Sequence, residues 1–199
     1  MALVDPLPLG HDASVLELSR LFHETLGFVP NSVLTMQHRP QIAQAFIALN
    51  RAVMAGSGRV TPEQKRLIAL LASSAAGCRY CQAHAALAAT RYGATAERLR
   101  QIWQFRDSPL FTGAERAAFE FALAAAAVPN AVTPALAADL RKHWDDGEIV
   151  EILGVIALFG FLNRWNDSMA TELEPAAAAV ASTHLASSGW APGKHGSDG

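Results

Sequence analysis

"EQKRLIALLASSAAGCRYCQAHA", residues 63–85, decides the reading of this chain. Thr61 just before it is a good N-cap, and Pro62 suits the first helical position. Apolar residues then recur at helical spacing up to Gly77, where a helix should stop. A second helix is expected from about 78 to 92, ended by Tyr92-Gly93. The stretch is therefore a helix, a glycine elbow and a helix, with both cysteines of the chain just past the elbow.

The same period extends outward. "ASVLELSRLFHETLG", residues 13–27, puts Val15, Leu18, Leu21, Phe22 and Leu26 on one face and stops at Gly27. "PQIAQAFIALNRAVMAGSG" starts at Pro40 and ends at Gly56. Further helices are expected over about 95–105, 112–127, 133–143 and 146–161. A last one is expected from near Asn163, fading into an alanine-rich stretch. No alternating run bounded by turn residues makes a convincing strand. The expected fold class is all-α: one domain over 1–199, with its core at about 14–175. Residues 186–199, including "SSGWAPGKHGSDG", read as a flexible tail.

A weak internal repeat accompanies this. "EIVEILGVIALFGFLNRWNDSMA", residues 148–170, aligns with 63–85 without a gap. Glu63 meets Glu148, Arg79 meets Arg164, and Tyr80 meets Trp165. Cys78 and Cys81 fall opposite Asn163 and Asn166. Two pseudo-repeated helical hairpins packed about a pseudo-twofold axis are expected. An ion pair between Arg66 and Glu151 would then bridge the axis. Asn163 is read as a helix cap and Trp165 as a core residue, or with Asn166 as lining of a shared cavity.

Composition narrows the classes. Of the 199 residues, 51% are apolar and 17% charged, with a net charge of −2. No basic cluster suggests a nucleic-acid partner. The apolar run from Ile152 to Leu162 is too short to cross a bilayer. The first twelve residues lack the charged start of a signal peptide. A cytoplasmic protein is expected, and self-association through the alanine-rich apolar surface, as a dimer or a trimer of dimers. No flavin, nicotinamide, haem or phosphate motif is present, so no cofactor is expected.

In that setting the cysteine pair is a candidate site. A CxxC at a fresh helix N-terminus places sulfur beside unpaired N–H groups and the positive end of the dipole, which favour thiolate. Three-residue spacing brings the sulfurs to one face, and His84 lies one turn beyond Cys81. A thiolate attacks the O–O bond of a hydroperoxide, becomes a sulfenic acid, and is resolved by the second thiol as a disulfide. An external dithiol donor would reset the pair. Buried inert thiols are the plain alternative. No metal is expected, because no second CxxC exists and the other histidines are scattered singly.

"TPEQKRLIALLASSAAGCRYCQAHAA" resembles the signature of the carboxymuconolactone decarboxylase family, and within it the alkylhydroperoxidase D-like, peroxidase-related members. "FGFLNRWNDSMATELEP", residues 159–175, resembles the second half of such proteins. The resemblance implies an all-helical oligomer with hydroperoxide as substrate and a dithiol or thioredoxin-like electron donor. It makes Cys81 peroxidatic and Cys78 resolving. Two positions depart from the pattern. The family's relay glutamate, twelve before the first cysteine, is here Arg66. The relay histidine, four after the second cysteine, is here Ala85, with His84 one place earlier. Glu63, one turn before Arg66, is the expected substitute. Arg66 is a candidate to stabilise a thiolate or a substrate anion, and Tyr80 to shape the pocket. Two other functions stay open: a redox-responsive sensor with little turnover, and a decarboxylase-type enzyme on the same fold.

Overall fold

A computed structural model describes residues 2–56 and 58–196. Ten α-helices form it, and no strand occurs among the described residues: α1 (Ala13–Thr25), α2 (Asn31–Met36), α3 (Pro40–Met54), α4 (Pro62–Ala75), α5 (Arg79–Arg91), α6 (Ala96–Gln101), α7 (Gly113–Ala126), α8 (Pro134–Arg141), α9 (Asp146–Met169) and α10 (Pro175–His184). The all-α expectation holds.

The elbow forms as its residues dictate. Thr61 and Gln64 make a reciprocal capping box at the start of α4. Gly77 turns the chain with φ of +78°, in the left-handed region open to glycine. Cys78 is then the N-cap of α5, its sulfur accepting the Cys81 N–H at 3.4 Å. Every residue of α4 from Lys65 to Ser73 is buried, because α5, α7 and α9 all pack on it. Alanine at many contacts lets the axes approach.

Lys65, wholly buried within α4, donates to the carbonyls of Val53 and Ala55 and pairs with Glu151. It thereby serves two carbonyls at the open end of α3, where helical partners run out. The bridge between α4 and α9 thus uses Lys65, not the expected Arg66.

The segment aligned with the elbow folds differently. The break expected between 161 and 163 is absent, and α9 is continuous through Asn163. Leu162 stands where the alignment has Gly77, and a β-carbon makes the left-handed turn costly. Asn163 is therefore mid-helix and buried, and no cap. The alanine-rich stretch forms a separate helix, α10, after a bend at Ala170.

The expected flexible tail is docked as far as the description reaches. The Trp190 indole donates to the Arg79 carbonyl at 3.2 Å, and His195 Nδ1 meets the Thr171 carbonyl at 2.8 Å. Both side chains are buried, which anchors the segment over the start of α5. Residues 197–199 lie outside the described residues.

Candidate active site

A cavity of about 260 Å³ runs along α5. Tyr80, Cys81, His84, Ala85, Ala88 and Tyr92 form one wall, at the spacing of a single helix face. Phe22 of α1, Phe46 of α3, and Phe159 and Leu162 of α9 face it. From Cys81 to Tyr92 the helix rises by about 16 Å.

At the Cys81 end the two sulfurs differ. Cys81 lines the cavity; Cys78 is sealed behind it among core residues. The Cys81 thiol hydrogen-bonding to Cys78 lowers the Cys78 pKa; burial opposes this, and the backbone N–H groups of Cys81 and Tyr80 assist. Burial pushes Cys81 well up, and the neighbouring Cys78 sulfur adds to it; the Asn166 amide, donating to Cys81 Sγ at 3.5 Å, works the other way. Of the two thiols, Cys78 is therefore the one whose surroundings favour ionisation, and Cys81 the one they disfavour.

His84 sits over Tyr80, with ring centroids 4.1 Å apart. Its Nδ1 meets the Tyr80 carbonyl at 3.0 Å, and its Nε2 pairs with Glu174 Oε2 at 2.8 Å. The contact to Glu174 is close enough for an ion pair when the imidazole carries both ring hydrogens. Glu174 Oε1 accepts from the Tyr80 hydroxyl at 3.0 Å and from the Asn31 N–H at 2.6 Å. Burial raises the Glu174 pKa, but the charge and hydrogen bond of His84 and the Asn31 N–H outweigh it, leaving the carboxyl below its ordinary 4.5. Burial first, and Glu174 second, push the Tyr80 phenol well up, so it stays a neutral donor.

Glu63 does not join this group. It pairs with Arg98 Nε at 2.8 Å and is absent from the cavity wall. The carboxylate beside His84 is Glu174, at the start of α10, which the sequence analysis did not single out. It lies within "FGFLNRWNDSMATELEP", and its place before Pro175 marks a helix start, but nothing local ties it to His84.

Arg66 lines the cavity with Tyr92, its guanidinium carbon 3.9 Å from the ring centroid. Its Nη1 donates to the carbonyls of Met54 at 3.2 Å and Pro62 at 3.1 Å. Burial lowers its pKa. Asn166 lies on the cavity wall; Asn163 and Trp165 do not. Asn163 is buried with both amide atoms unpartnered, and Trp165 stacks on Phe161.

Behind Cys78, donor atoms of Cys78, Asp167 and His195 lie within 4.8 Å of one another, the one such group among the described residues. Three donors fall short of a closed tetrahedral set, and Asp167 already pairs with Lys194 at 3.0 Å. No helix among the described residues is long and apolar enough to cross a membrane.

Comparison with known proteins adds a lineage. Residues 40–124 match the carboxymuconolactone decarboxylase family. The uncharacterized protein YnjA of Escherichia coli (strain K12) is 30% identical over 92 residues, which are 46% of this chain and 50% of YnjA. The match thus spans half the length of that curated relative. Among solved structures, the debrominase Bmp8 is 33% identical with a TM-score of 0.84, covering 91% of this chain and 97% of that one. A cysteine-to-alanine variant of that debrominase in complex with 2,3,4-tribromopyrrole superposes with a TM-score of 0.83, at 33% identity over 90% of this chain and 96% of that one. An uncharacterized peroxidase-related protein from Ralstonia eutropha JMP134, with an alkylhydroperoxidase AhpD core, gives a TM-score of 0.75 at 23% identity, over 89% of this chain and 96% of that one.

Proposed function

The chain belongs to the carboxymuconolactone decarboxylase family, in its alkylhydroperoxidase D-like branch, and on that premise we propose that it is a dithiol-dependent reductase of small organic hydroperoxides. The observation that carries this is the position of Cys81: on the cavity wall, backed by Cys78 and one helical turn from a His84–Glu174 pair.

Cys81 sulfur attacks the terminal peroxide oxygen as its proton passes to Cys78. The O–O bond breaks, and the departing alkoxide takes a proton from the His84 imidazolium, which Glu174 orients and stabilises. Cys81 is now a sulfenic acid. Cys78 attacks its sulfur, and hydroxide leaves as water with the Cys78 proton. One hydroperoxide and two thiols give one alcohol, one water and one Cys78–Cys81 disulfide. Glu174 takes the part expected of Glu63. A dithiol or thioredoxin-like donor of the reducing cytoplasm resets the pair.

A second reading is reductive dehalogenation, favoured by the 33% identity to a debrominase along nearly the whole chain and by the aromatic cavity wall. The same groups serve. His84 protonates the halogen-bearing ring carbon, Cys81 takes the halogen, and Cys78 displaces halide to form the disulfide.

To test both, reduced protein is given cumene hydroperoxide or 2,3,4-tribromopyrrole without a donor. One disulfide per substrate consumed is expected, with alcohol or bromide released. Turnover that survives Cys81→Ser would sink both readings and turn attention to decarboxylase chemistry. A single oxidation that dithiothreitol reverses but never converts into repeated turnover would favour a sensor.

Self-association is part of the same proposal. Val150, Leu153 and Phe161 are exposed apolar residues of α9 at helical spacing, and a second copy would cover them. Light scattering should give at least a dimer, and Leu153→Glu should weaken it.

A further inference from the structure

Arg66 is a buried cation with no counter-charge among the described residues. The residue is 5% exposed, and no described carboxylate lies within ion-pair distance of it. Its Nη1 is held by two backbone carbonyls, and its Nε is buried without any partner. Guanidinium does not shed its proton in proteins. An unpaired charge taken from water is costly, so buried charges are as a rule paired. Stacking on Tyr92 offsets only part of that cost.

The cavity supplies the context. Arg66 and Tyr92 lie toward one end of the α5 wall and Cys81 toward the other. Between them the wall is Ala85 and Ala88, faced by Phe22, Phe46 and Leu162. The lining also includes Glu24 and Arg51, both exposed and of opposite sign. The space is thus mostly apolar, with the Cys81 sulfur toward one end and the Arg66 cation toward the other.

We infer that the cavity takes an elongated organic anion, with its carboxylate on Arg66 and its apolar body directed toward Cys81. As a substrate assignment this rests on the proposed dithiol reduction, whereas the anion site itself does not. The substrate class is then a carboxylic acid carrying its reactive peroxide away from the carboxylate. Arg66 is a binding residue that selects this class and fixes which end reaches the sulfur. A planar guanidinium suits a carboxylate, and low local dielectric strengthens the contact.

The test separates binding from chemistry by using unreactive probes. Octanoate and 1-octanol have the same chain length and differ in head group. Titration calorimetry on the reduced full-length protein should show octanoate bound at least about tenfold tighter, the scale of one charge-assisted hydrogen bond. Arg66→Met should erase the preference, and Arg66→Lys should restore part of it. Thermal melts with each probe give a second readout, since a ligand of the native state raises Tm. Equal affinities in the wild-type protein, or a preference that survives Arg66→Met in a variant that melts normally, would overturn the inference. If Arg66→Met fails to fold, the Arg66→Lys pair of affinities decides: an octanoate preference equal to wild type overturns it, and a reduced one supports it. Octanoate preference without any peroxide consumption would keep the anion site and discard the reductase reading.

Discussion

At the Cys81 end of the cavity His84 has a buried carboxylate close by, whereas at the Tyr92 end no described carboxylate pairs with Arg66. His84 faces Glu174 at 2.8 Å, and Glu174 also accepts from Tyr80 and Asn31. Among the described residues, Arg66 meets carbonyl oxygens and an aromatic face. A pre-satisfied network is rigid and acts in the reaction step, where its dipoles are already aimed. An unsatisfied buried group waits for a ligand and acts in binding. The two ends should therefore fail in different kinetic parameters.

The sharpest way to break the first end is Cys81→Ser. Turnover should fall by about 10⁴-fold or more, as when a nucleophile is removed. Cys78→Ser should instead leave one round of oxidation and trap a sulfenic acid, which dimedone labelling with mass spectrometry would detect. A sulfenic acid trapped on Cys78 in Cys81→Ser, with none on Cys81 in Cys78→Ser, would reverse the assigned roles.

Next in size, His84→Ala and Glu174→Gln should each lower kcat by about 10²- to 10⁴-fold, the range of one general acid contribution. A loss confined to KM would place them in binding. Glu174→Gln also tests stability against pH. Its carboxyl is held below 4.5 in the fold, so near that value the unfolded chain binds more protons. The resulting stability is present above the unfolded value and is lost as pH falls through the folded one. Chemical denaturation across pH 3–6 should show a shallower acid slope for the variant.

Smaller still is Gly77→Ala. A β-carbon there meets nothing within 4 Å, so the cost is the backbone at φ of +78° alone, about 1–2 kcal/mol. Denaturant melts would measure it, and a neutral result would mean that the elbow relaxes. The least effect is expected of Asn166→Ala, which removes one amide from Cys81 Sγ. About 1 kcal/mol, or up to about tenfold in the first oxidation rate, is the scale of one such hydrogen bond.

The α4–α5 elbow was legible because its signals are local. Thr61, Pro62 and Gly77 act within a turn of where they stand, and the structure places the helix ends beside them. The same kind of reading failed at 161–163. There an alignment with residues 77–78 suggested a break, but Leu162 and Asn163 carry no stop signal and α9 runs on. The alignment had imported the elbow's shape without its glycine. Glu63 failed for a related reason. It was chosen for being one turn from Arg66, and its carboxylate is taken by Arg98 across a helix boundary.

By itself the sequence determined the helical fold, the elbow, and the cysteine pair at the head of a helix, since these depend on period, caps and backbone conformation within a few residues. Tertiary structure alone decided which carboxylate meets His84, which sulfur faces the cavity, and that Arg66 has no carboxylate partner among the described residues. Glu174 lies 94 positions from the Tyr80 hydroxyl it accepts from, and only the packing of α10 against α5 brings them together. Charge pairing depends on distance in space and on exclusion of water, and neither quantity is written at any spacing along the chain.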